Sequence, residues 1–253
     1  MQNLRLFILI LSLGLSVCGC RKDAAETQTT ETEPKEETRK EAAMGTTLQW
    51  LGHASFKIRH EDTVIYIDPW KLKDSPHDAT LVLVSHSHYD HYSPSDIARV
   101  SGAETKLIAS ADVVKKEKNG KMIVHGLTVD LGSVRVSGVA AYNPGKQFHP
   151  KANNWVGFVI EVGSKRIYYS GDTDLTDEMK SLKEIDVALL PVGGTYTMDA
   201  AEAAEATKYL KPERAIPYHW GQIVGGRADA EAFAEAAECK VQVLSAGETI
   251  SLD

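Results

Sequence analysis

Cysteine is scarce in this chain of 253 residues: there are three, and Cys18 and Cys20 both lie within the first twenty positions. Only Cys239 is left for the body of the chain, so no disulfide can close inside it. Cys239 follows an Ala-rich helical stretch and reads as a space-filling core residue. Positive charge is also in short supply. With 28 Lys and Arg against 35 Asp and Glu, the net charge is −7, which excludes an electrostatic grip on nucleic acid. A bilayer-spanning run is missing as well. The apolar stretch at residues 6–17, LFILILSLGLSV, is too short to cross a membrane.

What is present begins with that stretch. Arg5 precedes it and Val17-Cys18-Gly19-Cys20 ends it, which is the layout of a cleaved export signal. It resembles a bacterial lipoprotein signal peptide, and the resemblance implies a signal at 1–19 with the lipid on Cys20. Several acyl chains on one residue anchor stably where one does not. The expected location is therefore the cell envelope, with the membrane touched through the N-terminal lipid only. By the same analogy Arg21 directs the lipoprotein to the outer membrane, or to a periplasm-facing position, in a Gram-negative cell. The segment that follows, around ETQTTETEPKEETRKEAA, has no aromatic or β-branched aliphatic residue. It cannot bury enough apolar surface to offset its ordering entropy, so 20–45 reads as a lipidated cysteine and a disordered tether.

Residues 46–253 read as one domain of ordinary size. Short β-prone runs at 47–51, 55–59 and 63–67 are separated by Gly52-His53 and Glu61-Asp62. LVLVS at 81–85 suits a strand covered on both faces. Ser93, Pro94 and Asp96 predict a capped helix start. Further strands are expected at 106–109, 127–131, 134–141, 156–162, 166–170, 187–191 and 215–218, and helices at 111–117, 199–210 and 229–238. Interleaved strands and helices give a mixed α+β fold with layered sheets.

Nine histidines is the number out of proportion, and their placement matters more. Ser85-His86-Ser87-His88-Tyr89-Asp90-His91 stands between an apolar strand and a capped helix. Imidazoles packed this closely repel when protonated and lose hydration when buried, unless a cation organises them as neutral ligands. An exposed His-rich loop is the bland alternative, and the metal reading outweighs it. One loop cannot complete two coordination shells. His149 in Phe148-His149-Pro150, Asp172 in Gly171-Asp172-Thr173 and His219 in Tyr218-His219-Trp220 each follow an apolar strand and could converge on one sheet edge. His125, before Gly126, competes with His149.

The His86-x-His88-x-Asp90-His91 motif, the later histidine, the Gly171-Asp172-Thr173 turn and the C-terminal histidine resemble the metal signature of the metallo-β-lactamase superfamily. Trp50-Leu51-Gly52-His53 and Ile67-Asp68-Pro69 resemble its branch of ascorbate-6-phosphate lactonase-like proteins, distantly similar to N-acyl phosphatidylethanolamine phospholipase D. The resemblance implies a four-layered αβ/βα sandwich with the site at the sheet edges. It implies two divalent ions, with His86, His88 and His149 on the first, Asp90, His91 and His219 on the second, and Asp172 between them. Zinc suits these ligands, and manganese or iron fits the same set. A water shared by two such cations attacks a carbonyl or phosphorus, with Asp90 orienting it, so the expected activity is hydrolysis of a small ester, lactone or phosphodiester. The competing reading is a metal-binding or scaffolding lipoprotein without catalysis. A thiolester hydrolase or an iron-dependent redox member is a third. No flavin-binding extension is present, which counts against a flavin-dependent reductase.

Asp68 reads as a second-shell support for a ligand histidine. His53 is weighed equally between that role and a buried structural one. Tyr89, Trp70, Trp155 and Trp220 flank the candidates and could line a substrate pocket, with core packing the default for the tryptophans. His60 and His77 read as solvated. The glycines of Pro191-Val192-Gly193-Gly194-Thr195-Tyr196 allow close backbone approach.

Overall fold

Alternation builds the first sheet. In the computed structural model, which describes residues 45–253, Thr46–Gly52 buries every second side chain, the period of a strand with one face on a core. In chain order the strands and helices of the first half are β1 (Thr46–Gly52), β2 (Ser55–His60), β3 (Thr63–Ile67), β4 (Ala79–Val84), α1 (Pro94–Val100), β5 (Ser101–Ala109), α2 (Ala111–Glu117) and β6 (Lys121–Met122). The second half runs β7 (Thr128–Asp130), β8 (Val134–Ala140), β9 (Val156–Val162), β10 (Lys165–Tyr169), α3 (Asp177–Lys180), β11 (Val187–Pro191), α4 (Ala200–Leu210), β12 (Arg214–Tyr218), α5 (Arg227–Ala236), β13 (Lys240–Val241) and β14 (Thr249–Ser251).

These strands form two seven-stranded sheets, ordered β14-β1-β2-β3-β4-β5-β6 and β13-β12-β11-β10-β9-β8-β7. Each is antiparallel on one side and parallel on the other. The change falls at β3 in the first sheet, which pairs antiparallel with β2 and parallel with β4. In the second it falls at β10, antiparallel to β9 and parallel to β11.

The pleat sorts the two faces of each strand. Ile65, Ile67, Leu81 and Leu83 point into a core shared with Phe158, Ile160, Ile167 and Leu189 of the other sheet. Their neighbours Val64, Tyr66, Val82 and Val84 pack outward against Ile97 and Val100 of α1 and Val113 of α2. Against the second sheet lie Ala203, Ala206 and Leu210 of α4 and Ala230 and Phe233 of α5. The order of layers is therefore helices, sheet, sheet, helices, the expected α+β sandwich.

Helix starts follow their caps. Ser93 accepts from the Asp96 N–H ahead of α1, and Asp199 accepts from the Glu202 N–H ahead of α4. Three very short strands, β6, β13 and β14, and the single-turn α3 were not expected, and β5 begins at Ser101 rather than 106. The early part of β5 is mostly exposed and polar, so it carries no apolar signal. His60 is half-buried with its Nδ1 3.1 Å from Thr46 Oγ1, not solvated as expected. Cys239 packs half-buried against the main core. The expected signal peptide at 1–19 and tether at 20–45 fall, except for residue 45, outside the described residues. Among the described residues, no helix is long and apolar enough to cross a membrane.

One glycine fixes how closely the second sheet closes near the Asp172 turn. A Cβ on Gly157 would lie 2.4 Å from the Ser170 carbonyl oxygen and 2.5 Å from that of Tyr169. Gly157→Ala must push β9 from β10, an overpacking cost of about 3 kcal/mol at the upper end of its range. The expected fall in Tm is roughly 6–12 °C, and a thermal melt unchanged within a degree would refute this close approach.

Candidate metal centre

The carboxyl ends of the parallel strands converge. Asp68 follows β3, His86 to His91 follow β4, Asp172 follows β10 and His219 follows β12, while His149 comes from the loop after β8 and His53 from the turn between β1 and β2. Among these, Asp68, His53, His86, Asp90, His91, His149, Asp172 and His219 are buried, and His88 is partly exposed. Three of them are held in the left-handed backbone region without being glycine: His53 (φ 48°), Asp68 (φ 43°) and His219 (φ 60°). Such conformations cost about 1–3 kcal/mol each and cluster where the surrounding structure aims a side chain.

Two main groups of potential ligand atoms form, and a third, Asp68 with His86 and His91, shares a residue with each. His86, His88 and His149 each offer an atom within 4.8 Å of the others, and so do His53, Asp90, His91 and His219. His86 Nε2 and His88 Nδ1 are 3.1 Å apart. Asp172 stands between the groups. Its Oδ2 is 3.3 Å from His149 Nε2 and 3.1 Å from His219 Nε2, and its Oδ1 is 3.2 Å from His91 Nε2. The residues expected to act together are therefore together. His125 is exposed and accepts from the Ala140 N–H, away from the cluster.

A surrounding set of hydrogen bonds fixes each ring. Asp68 Oδ2 accepts from His91 Nδ1 (2.7 Å), Ser85 Oγ (2.5 Å) and Tyr169 Oη (2.6 Å), and Oδ1 accepts from the Ser85 N–H (2.7 Å). With its hydroxyl proton given to Asp68, Ser85 Oγ accepts from His86 Nδ1 at 2.9 Å. Asn143 Oδ1 accepts from His149 Nδ1 at 2.6 Å. In His86, His91 and His149 a proton is thus fixed on Nδ1, and Nε2 turns inward, the orientation that such hydrogen-bond partners give metal-binding histidines. Asn143, Ser85 and Tyr169 were not foreseen in these roles, and a single sequence carries no signal for a hydrogen-bond partner beyond its place in a polar loop or strand end.

His53 belongs to the cluster more closely than expected. Its Nε2 donates to Asp90 Oδ2 at 3.0 Å, its ring lies 4.1 Å from that of His219, and its Nδ1 is buried without a partner. The tryptophans stand behind the imidazoles and do not line the cavity. Trp155 packs on His86 and His88, Trp70 on His53, and Trp220 on Trp50. A cavity of about 250 Å³ opens in front, lined by His88, Tyr89, Asp90, Phe148, His149, Asp172, Tyr196, His219 and Ile223. Gly193 supports its rear wall, where a Cβ would meet the His219 carbonyl oxygen at 2.4 Å.

Burial and mutual charge drive the titrations apart. Burial, reinforced by the His91 charge, holds His86 well below the usual imidazole range. Burial and His149 lower His88. Burial opposes the charged form of His91, but Asp172 and Asp68 outweigh it and hold His91 well above its ordinary value. Burial likewise opposes the Asp172 carboxylate, yet His219 and His91 keep it well below the carboxylate range. The cluster leaves buried atoms wanting a partner: His91 Nε2, His149 Nε2, His219 Nε2 and Asp172 Oδ1 have none by hydrogen-bond geometry. Buried polar atoms are rarely left so, and cations fit this donor set.

The comparisons agree with that chemistry. Residues 47–219 match the beta-lactamase superfamily domain. A UPF0173 metal-dependent hydrolase of Pyrococcus abyssi is 33% identical over 226 residues, covering 81% of this chain and 99% of the relative. The structure of Igni18, described as a novel metallo hydrolase from Ignicoccus hospitalis, superposes with a TM-score of 0.67 at 28% identity, covering 82% of this chain and 98% of that one. The metallo-β-lactamase-fold protein YhfI from Bacillus subtilis, at 13% identity and a TM-score of 0.65 over 82% of this chain and 99% of that one, shares the fold. Fold, buried His and Asp cluster and relatives together make the chain a metal-dependent hydrolase of the metallo-β-lactamase superfamily, within its UPF0173 group.

Proposed function

We propose that this hydrolase works with two divalent metal ions, zinc by preference, and cleaves a small ester, lactone or phosphodiester. His86, His88 and His149 would hold the first ion, Asp90, His91 and His219 the second, and Asp172 both. The observation carrying this reading is the place of Asp172, whose Oδ2 lies near the Nε2 atoms of both His149 and His219 and whose Oδ1 lies near that of His91, so that one carboxylate touches both groups. Ions so held polarise the bond under attack and make water a nucleophile near neutral pH. The protein's part is positioning. Asp68, Ser85 and Asn143 lock three rings with Nε2 inward. His53 holds the Asp90 carboxylate by one oxygen, and Asp90, at the cavity wall, orients the attacking water. We also propose that residues 1–19 are a lipoprotein signal and that Cys20 carries the lipid that ties the domain to the cell envelope through residues 20–45.

Metal analysis tests the core of this reading. The purified chain, reconstituted with zinc, should hold two equivalents. Stripping by chelator should abolish hydrolysis of bis-p-nitrophenyl phosphate or p-nitrophenyl acetate. It should also lower Tm, by roughly 8–16 °C for each ion present at a thousandfold its Kd. A chain that takes up no metal, or turns over unchanged in chelator, would remove the proposal. Globomycin-sensitive processing and acyl labelling lost in Cys20→Ala test the anchor.

A further inference from the structure

The wall of the metal cavity is unlike the rest of the surface. Of the six large hydrophobic side chains that stand exposed among the described residues, three line this one cavity: Tyr89, Phe148 and Ile223, exposed by 69%, 44% and 37%. They arrive from separate loops, after β4, β8 and β12, and Tyr196, after β11, joins them edge-on to Phe148 at a ring separation of 4.7 Å. Isolated exposed apolar residues need no explanation, but a group rimming a concave polar site marks a ligand-binding surface.

Charge narrows the ligand further. No lysine or arginine is among the residues lining the cavity, whereas two carboxylates, Asp90 and Asp172, are. Lys146, on the adjoining loop, is fully engaged: its ammonium donates to Asp174 Oδ1 (2.7 Å), the Thr197 carbonyl (2.6 Å) and the Gly194 carbonyl (3.2 Å). Lysines gather instead at a larger concavity of about 440 Å³, lined by Lys57, Lys71 and Lys73, which shares no lining residue with the metal cavity. Sites built for phosphoryl groups place Arg or Lys against their oxygens. Away from the proposed ions, burying an anionic group against Phe148 and Ile223 costs hydration that no side chain on this wall returns.

We infer that the substrate is an uncharged carboxylic ester with an apolar acyl or aryl group, that group resting on Tyr89, Phe148, Tyr196 and Ile223. The inference rests on the hydrolytic reading above and narrows it to one of its bond types. In the reaction, water adds to the carbonyl carbon, the bond from that carbon to the ester oxygen breaks, and the released alkoxide takes a proton that came from the water. The products are a carboxylic acid and an alcohol. A cavity of about 250 Å³ is below the about 300–1,000 Å³ usual for drug-sized ligands, so it takes a small ester or one end of a longer one.

The test compares p-nitrophenyl acetate, butyrate and hexanoate with bis-p-nitrophenyl phosphate on the zinc-loaded full chain, with and without chelator. Chelator-sensitive kcat/KM should rise with acyl length by up to about fourfold per methylene and exceed that for the phosphodiester by about a hundredfold. Phe148→Ser and Ile223→Ser should each flatten the rise with length while zinc content stays at the wild-type value. Calorimetry with phenylacetamide, which the chain need not hydrolyse, should show binding that weakens in both variants. A flat length series, or faster turnover of the phosphodiester, overturns the inference and leaves the two-metal hydrolase standing. Absence of chelator-sensitive turnover on every substrate overturns both.

Discussion

Replacing Asp172 by alanine is expected to cost at least about a thousandfold in kcat/KM and to leave the chain with fewer than two bound metal ions. The carboxylate is buried and lies within 3.3 Å of the Nε2 atoms of His91, His149 and His219. It reaches ring nitrogens in both halves of the cluster, and in the proposed arrangement its charge would offset repulsion between two cations as no imidazole can. Loss of an interaction worth several kcal/mol at a dinuclear site translates into three or more powers of ten. Metal analysis and steady-state kinetics on Asp172→Ala and Asp172→Asn check this together. Both variants should fail, since the amide keeps the shape but not the charge. An alanine variant that retains two ions and a tenth of the activity would show that Asp172 is not shared.

Asp68→Ala is expected to produce the second large effect, and on stability first. It strips the acceptor from the Ser85 N–H, the Ser85 hydroxyl, the Tyr169 hydroxyl and the His91 Nδ1–H, all within a fully buried environment. Orphaned buried donors cost about 1–3 kcal/mol each, so a loss on the order of 4 kcal/mol or more and a Tm lower by roughly 10 °C are expected. The freed His91 ring should also weaken zinc binding about 10–100-fold. Tyr169→Phe removes a single donor and leaves the other three satisfied. It should change Tm by only about 1 kcal/mol's worth and leave zinc affinity near wild type. Equal losses of zinc affinity in the two variants would show that the effect is general loosening rather than ring orientation.

The metal loop was legible because its chemistry is local. His86, His88, Asp90 and His91 fall within six residues, and no ordinary packing requirement explains that crowding. His149, Asp172 and His219 were legible for another reason: each sits just past a strand whose apolar run marks where it ends. The strands that were missed, β6, β13 and β14, have two, two and three residues, too few for a periodic pattern, and they form only because a neighbouring strand offers its edge. The partners of the rings were illegible for a physical reason as well. Asn143 sits in the same loop as the histidine it holds, but nothing local says that its amide turns back on that ring. Tyr169 reaches Asp68 across 101 positions of sequence, and only the stacking of the two sheets brings them within reach. His53 was underestimated because a histidine in a two-residue turn looks like turn chemistry until Asp90 is placed beside it.

The matched change from antiparallel to parallel pairing, at β3 in one sheet and β10 in the other, carries a consequence for how the molecule could come apart. In the proposed sets the first half of the chain supplies His86, His88, Asp90 and His91 and the second His149, Asp172 and His219, so neither half holds either set entire. In the proposed arrangement each ion is a rivet driven through both sheets at their common rim. A protease cut between Met122 and Thr128 would leave two fragments still held by the core the sheets share, by β14 on β1 and by both rivets, so chelation should loosen the nicked molecule without by itself parting it.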